Sequence, residues 1–177
     1  MTDVRVAHTA RLAPSELTDI HLLLRDAFGP TLTDHDFEHA LGGMHATVHD
    51  GAELVAHGSV VMRRLLHDGQ ALRTGYVEAM AVRADRRRHG LGAAVMGALE
   101  QVITGAYQLG ALSASAMAVD FYSARGWQRW TGTASVITPD GLRRLPDEED
   151  AIFVKPVSID LVADGDLACD WRGGDVW

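Results

Sequence analysis

Leu17, Ile20, Leu24 and Phe28 recur at three- and four-residue intervals and form one apolar stripe, which predicts an amphipathic helix. Ser15 reads as its N-cap and Gly29 as its stop. Thr33-Asp34 can cap a second, short helix through Asp36, Phe37 and Leu41, ended by Gly42-Gly43. From Ala46 the pattern changes to β-rich runs, with Asp50-Gly51 and Asp68-Gly69 as tight turns, so three strands are predicted over about 45–49, 53–64 and 71–82. The third of these ends in Tyr76-Val77-Glu78-Ala79-Met80-Ala81-Val82 and runs into a loop rich in arginine and glycine. Leu91, Val95, Leu99 and Val102 then share one face of a helix beginning at Leu91. Tyr107 to Leu112 reads as a strand, Ala116 to Arg125 as a helix closed by Gly126, and Trp127 to Ile137 as a further strand. Pro139-Asp140-Gly141 is a turn and Ile152-Phe153-Val154 a short strand. Hairpins followed by alternating strands and helices place the chain in the α+β, or mixed α/β, class. With no repeat and no linker, residues 1–177 are expected to form a single domain.

Composition narrows the partners. Of the 177 residues 47% are hydrophobic, enough for an ordinary core, and the formal net charge is -8. That excess opposes broad contact with a nucleic-acid backbone, so no nucleic acid is expected, and it favours a cationic partner. Cys169 is the single cysteine, which excludes an intrachain disulfide and points to a reducing cytoplasm. The N-terminal Met1-Thr2-Asp3-Val4-Arg5-Val6 does not open a signal peptide, and no apolar run approaches the ~20 residues of a membrane span, so a soluble, unprocessed protein without membrane contact is expected. His35 and His39 at helical spacing and the nearby His45 and His49 raise the question of a metal. His45-Ala46-Thr47-Val48-His49 reads as a strand entering a turn, and a His-Glu-x-x-His element is absent, so no metal is expected.

The loop Arg87-Arg88-His89-Gly90-Leu91-Gly92 lies between a predicted strand and the first turn of a predicted helix. Backbone N–H groups without helical acceptors and the helix dipole both favour an anion there. Gly90 and Gly92 let the backbone approach a bound group, and Arg83, Arg86, Arg87 and Arg88 add positive charge, so the expected guest is a diphosphate. A dinucleotide fold would place a third glycine where Val95 stands, and a nucleotide P-loop needs Gly-Lys-Ser/Thr, which is missing. A basic helix start with two incidental glycines and no ligand fits the loop taken alone.

The loop and its context resemble the GCN5-related N-acetyltransferase (GNAT) superfamily. In that family Arg/Gln-x-x-Gly-x-Gly/Ala follows a long central strand, and Arg87, Gly90 and Gly92 match it. Phe121-Tyr122-Ser123-Ala124-Arg125-Gly126-Trp127 resembles the family's later helix, whose tyrosine approaches the thioester sulfur. Within the superfamily the chain resembles the aminoglycoside 2'-N-acetyltransferases. The likeness runs through Leu41-Gly42-Gly43-Met44-His45, Gly75-Tyr76-Val77-Glu78, Val82-Arg83-Ala84-Asp85, the block from Gly105 to Ser113 and the tail Cys169-Asp170-Trp171-Arg172-Gly173-Gly174-Asp175-Val176-Trp177.

The resemblance implies a GNAT fold, with a central, mostly antiparallel sheet, a splayed parallel pair and flanking helices. It implies acetyl-CoA as cosubstrate, held by Met80, Ala81, Val82, Arg87, Arg88, His89, Gly90, Leu91 and Gly92. Glu78 is then the base, acting through a water, and Tyr122 the proton donor to sulfur; an N–H near Met80 polarises the acetyl carbonyl. For the aminoglycoside it implies Thr31, Asp36, Glu78, Ala79, Ser113, Asp147, Glu148 and Trp177, and for the assembly a homodimer. Thr31 stands where a related enzyme has an acid, and Glu148 where it has an aspartate. The charge pattern agrees, since Asp147, Glu148, Glu149 and Asp150 cluster in one loop while Asp170, Asp175 and the carboxylate of Trp177 lie in the tail. Acetylation of another amine (a polyamine, a sugar or a protein N-terminus) and a non-catalytic acyl-CoA sensor are the competing readings.

Overall fold

The computed structural model describes residues 3–177, and the first two residues of the N-terminal segment read above lie outside them. In chain order the elements are β1 (Arg5–His8), α1 (Pro14–Phe28), α2 (Asp34–His39), β2 (Met44–Asp50), β3 (Glu53–His67), β4 (Gln70–Val82), α3 (Leu91–Ala106), β5 (Leu109–Ser113), α4 (Val119–Ala124), β6 (Gln128–Arg129), β7 (Thr133–Thr138), β8 (Gly141–Arg144), β9 (Ile152–Pro156) and β10 (Asp166–Asp170). The chain divides into two compact units, one of residues up to Val61 with Val77–Val102, the other of Met62–Tyr76 with Ile103–Trp177. Strands β3 and β4 and helix α3 contribute a part to each.

In the first unit β2 pairs antiparallel with both β1 and β3, and a bulge between Val48 and His49 shifts the register before the predicted Asp50-Gly51 turn. Helix α1 buries Ile20, Leu23 and Leu24 in a cluster with Ala81, to which Leu54, Phe37 and Ala79 add. Each such aliphatic side chain contributes about 1.5–3 kcal/mol by leaving water. Two details of the predicted helix are corrected. The N-cap is Ala13, not Ser15, because Pro14 pre-sets the first helical turn and Glu16 reaches back to accept the Ala13 N–H. Phe28 turns outward and is exposed. On the other face, α3 packs closely where Gly58 stands: a Cβ there would lie 2.9 Å from the Met80 sulfur and 3.0 Å from both Leu99 and Val95.

In the second unit the strand order is β6-β9-β5-β4-β3-β10-β7-β8. Strand β5 runs parallel to β4, and their pairing ends at Tyr76↔Ala111 although β5 continues to Ser113. Strand β10 runs parallel to β7 and antiparallel to β3, while β9 runs antiparallel to β5 and β6. The whole is a mixed α/β fold with a mostly antiparallel sheet, a parallel β4–β5 pair and flanking helices, as predicted. The strand predicted over 127–137 is broken in two. At Gly132 a Cβ would lie 1.8 Å from the Gly165 carbonyl oxygen, so two backbones meet where the strand stops. Strands β1, β8 and β10 escape sequence prediction: β1 and β8 are almost wholly exposed edges without alternation, and β10 is only five residues, the last two of them the start of the tail block.

Candidate active site

The first unit carries the end of β4 and the arginine–glycine loop. Glu78, Ala79 and Met80 are half-buried along β4, and Ala79 adopts φ 52. A left-handed alanine costs about 1–2 kcal/mol and turns its peptide out of the regular ladder. The carbonyls on either side of that turn are met by side chains of β3: Ser59 Oγ donates to Glu78 at 3.4 Å, and His57 Nδ1 donates to Ala79 at 2.9 Å.

Beyond β4 the chain forms the anion cradle. Arg88 and Gly90 both have positive φ (63° and 78°), and a Cβ on Gly90 would meet nothing within 4 Å. The first α3 hydrogen bond joins the Ala94 N–H to the Gly90 carbonyl. The N–H groups of Leu91, Gly92 and Ala93 therefore precede it without helical acceptors. Arg87 Nε donates to the Val82 carbonyl at 3.2 Å and His89 Nδ1 to the Arg87 carbonyl at 2.8 Å, which ties the loop to the strand it follows. These residues are exposed, and the donor set suits an anionic diphosphate.

The expected four-arginine charge is reduced to two. Arg83 is held by Glu53 at 2.6 Å and Asp85 at 2.7 Å, and Arg86 by Asp50 at 2.5 Å. No carboxylate among the described residues engages Arg87 or Arg88. Thr31 and Asp36 also belong to this unit, and both have local partners. The Thr31 hydroxyl donates to the Phe28 carbonyl at 2.7 Å, and the Asp36 carboxylate accepts from the Thr33 N–H at 2.7 Å and the Thr33 hydroxyl at 2.9 Å, capping α2.

The second unit carries Tyr122, Ser113, the acidic loop and the terminal segment. Tyr122 is buried on α4 beside the rings of Phe121, Trp127 and Phe153, and burial pushes its hydroxyl up to about 12. It therefore keeps its proton at neutral pH. Ser113 is exposed at the end of β5, opposite Ile152 of β9.

The four clustered acids separate into two kinds. Glu149 is paired with Arg144 through both oxygens, at 2.6 and 3.1 Å, and Asp150 with Arg129 at 3.3 Å. Asp147 and Glu148 lie in a single 3-10 turn, Pro146–Glu148, without a cationic side chain among the described residues. Burial first, and then the charges of Asp175 and Asp147, raise the Glu148 carboxyl above the ordinary range. Asp175 thus joins them in space.

The terminal segment does not fray. Trp177 is buried, its backbone N–H donates to Asp175 Oδ1 at 3.2 Å, and Arg172 Nε donates to the Asp175 carbonyl at 2.8 Å. Asp170, grouped with the free acids in the sequence, is instead held by the buried Arg63 at 2.8 Å. Cys169 donates its thiol to the Val176 carbonyl, and burial pushes it up to about 11, so it packs rather than reacts. Among the described residues there is no group of three His, Cys, Asp or Glu side chains arranged to hold a metal, and no helix long and apolar enough to cross a membrane.

A long strand, a glycine cradle at a helix start and a buried tyrosine on a later helix are the parts of an acyl-CoA-dependent transferase. The family model of the acetyltransferase (GNAT) domain matches residues 8–130, and the chain belongs to that family and is an acetyl-CoA-dependent acetyltransferase. Among named relatives, the aminoglycoside 2'-N-acetyltransferase of Mycolicibacterium fortuitum is 49% identical, over 98% of this chain and 91% of that protein.

Solved structures share the fold at low identity. The GNAT family N-acetyltransferase YhbS of Escherichia coli, in complex with CoA, superposes with a TM-score of 0.68 at 17% identity, over 95% of this chain and 89% of that one. ElaA of Escherichia coli gives 0.62 at 19% identity, over 88% and 99% of the two chains.

Proposed function

We propose that the protein acetylates the 2'-amino group of aminoglycosides by direct attack in a ternary complex, conferring or contributing to antibiotic resistance. The observation that carries this reading is the open carboxylate group of Asp147, Glu148 and Asp175, in a chain half identical to an enzyme of that name. Three clustered carboxylates with one pKa already raised are stabilised by an incoming polyammonium sugar, whose charges lower the cost of keeping all three ionised. Ser113, Asp36, Thr31 and Ala79 contribute further contacts to the sugar. Trp177 acts by holding Asp175 through its N–H. The proposal keeps the single domain and the cytoplasmic location expected from the sequence, and the homodimer that the family resemblance implies.

Acetyl-CoA supplies an activated acetyl group on a thioester. In this reading the N–H groups of Leu91 and Gly92, with Arg87, Arg88 and His89, bind the diphosphate, while the main chain of Met80, Ala81 and Val82 binds the pantetheine arm. The Met80 N–H donates to the acetyl carbonyl. Glu78 takes the proton of the acceptor ammonium through a water, and the Tyr122 hydroxyl donates to the departing sulfur. The amine nitrogen forms its bond to the acetyl carbon as the carbon–sulfur bond breaks, giving amide and CoA thiol.

Thiol release tests the proposal. Acetyl-CoA with an aminoglycoside carrying a 2'-amino group is expected to release CoA at a saturable rate, and a congener with a 2'-hydroxyl to release little. Equal rates with the two would overturn the 2' assignment. At the acceptor side, Glu148→Gln is expected to raise the aminoglycoside KM on the order of tenfold, about the value of one charge-assisted hydrogen bond, without changing the acetyl-CoA KM. Steady-state kinetics at low and high salt check it, because the effect shrinks as salt screens the remaining carboxylates.

A further inference from the structure

Four buried polar side chains lie on one face of the β2–β3 hairpin: His45, Thr47, His57 and Ser59, opposed as His45↔Ser59 and Thr47↔His57. A polar stripe of this kind is costly unless every donor and acceptor is matched. Here the two histidines form a chain. His57 Nδ1 is 2.9 Å from the Ala79 carbonyl oxygen, His57 Nε2 is 2.9 Å from His45 Nδ1, and His45 Nε2 is 2.7 Å from Thr9 Oγ1. Thr9 Oγ1 in turn accepts the Gly42 N–H at 2.9 Å.

The Thr9 hydroxyl also lies 3.3 Å from the Gly43 carbonyl, a longer contact than the 2.7 Å to His45, and one arrangement of protons satisfies every ring nitrogen of the chain. A carbonyl only accepts, so His57 carries its proton on Nδ1 and accepts at Nε2; His45 then donates from Nδ1 and accepts at Nε2 from the Thr9 hydroxyl. Both rings are neutral, since burial drives His45 down to about 4 and His57 to about 3. The chain ends on a peptide oxygen, which takes no proton at neutral pH, so it serves geometry and polarisation rather than proton transfer.

What it holds is the left-handed turn at Ala79 (φ 52). The Ala79–Met80 peptide is trans and planar, so its C=O and the Met80 N–H point in opposite directions. Fixing the oxygen on His57 fixes the hydrogen on the other side, and a bond accepted by a carbonyl strengthens its own amide as a donor. We propose that His57, oriented by His45 and Thr9, is a positioning residue for acetyl transfer: it holds and polarises the Ala79–Met80 peptide so that the Met80 N–H faces the acetyl carbonyl. This rests on the reading of Met80 as the donor to that carbonyl.

Two substitutions separate positioning from mere packing. His57→Asn keeps a nitrogen donor at the δ position, whereas His57→Gln keeps one only at the ε position. The Gln variant is expected to lose on the order of tenfold or more in kcat, with both KM values unchanged, and the Asn variant to recover most of that loss. In the ligand-free protein the Met80 amide nitrogen is expected to move upfield in the Gln variant and to stay near its native position in the Asn variant.

Equal, native kcat in both variants, or an unmoved Met80 resonance in the Gln variant, would overturn the assignment. The wild-type protein needs no variant for a further reading: nitrogen NMR of the imidazoles must show His57 as the Nδ1–H tautomer, and the Nε2–H tautomer would refute the chain. Failure of wild-type turnover with any aminoglycoside bears on the proposed acceptor alone, because both NMR readings are made without substrate.

Discussion

Glu78→Gln is expected to lower kcat/KM for the aminoglycoside by about a hundredfold near pH 6, the ordinary scale for loss of a general base. The deficit should shrink steadily as pH rises. The acceptor arrives as an ammonium, and an amide at position 78 cannot take its proton. At higher pH solvent removes that proton, and the variant catches up. Glu78 lies on β4 beside the turn at Ala79, and its own carbonyl is held by Ser59, so the substitution leaves the backbone bonds of the turn in place. Parallel pH–rate profiles of the two proteins from pH 6 to 10 give the test. A deficit of constant size across the range, or none, would remove Glu78 from proton transfer.

Tyr122→Phe is expected to lower kcat by a similar factor, about a hundredfold, but without the pH dependence. Burial among Phe121, Trp127 and Phe153 holds the Tyr122 hydroxyl at about 12, so it stays protonated throughout the working range. Its proton is lost only as pH rises through that value, and the deficit should therefore be flat from pH 6 to 10. The CoA thiol is far more acidic than this tyrosine, with an ordinary thiol near pKa ~8.5. The hydroxyl thus stabilises the departing sulfur as a hydrogen-bond donor, and the net proton comes from the acetylated nitrogen. An acetyl-CoA KM that rises while kcat holds would show that Tyr122 binds the donor without assisting departure. A deficit that closes by pH 9 would contradict the raised pKa.

The two variants differ in a way that local sequence does not reveal. The cradle from Arg87 to Gly92 is readable in sequence because each part is local: a strand end, two glycines and the first turn of a helix. The turn at Ala79 is not readable, since alanine carries no preference for positive φ, and the turn is stabilised by His57 and Ser59 from the neighbouring strand. The net charge of the loop is smaller than the local sequence suggests for a similar reason. Arg83 and Arg86 lie beside Arg87 in the chain, but Glu53 and Asp50, thirty and thirty-six residues earlier, neutralise them.

The acidic side repeats that lesson. Clustering of Asp147, Glu148, Glu149 and Asp150 is plain in the sequence, yet only tertiary contacts decide that Arg144 and Arg129 engage the latter two. Asp175 joins the open pair, whereas Asp170 turns to Arg63. The His45–His57 chain lay furthest from view. It needs the register of the β2–β3 hairpin, and a bulge between Val48 and His49 displaces that register from a simple count back from the Asp50-Gly51 turn. His45 to His49 do lie in a strand, and the partner of His45 is a histidine twelve residues on.

The central claim is the identity of the acetylated atom. Acetyl-CoA labelled with carbon-13 in the acetyl carbonyl, reacted with an aminoglycoside bearing a 2'-amino group among several amines, yields a product whose labelled carbon can be correlated to its neighbouring sugar proton by NMR. A single acetyl coupled through nitrogen to the proton on C2' is the predicted result. An acetyl on any other nitrogen or on a hydroxyl, or an unmodified drug after prolonged reaction, would contradict it.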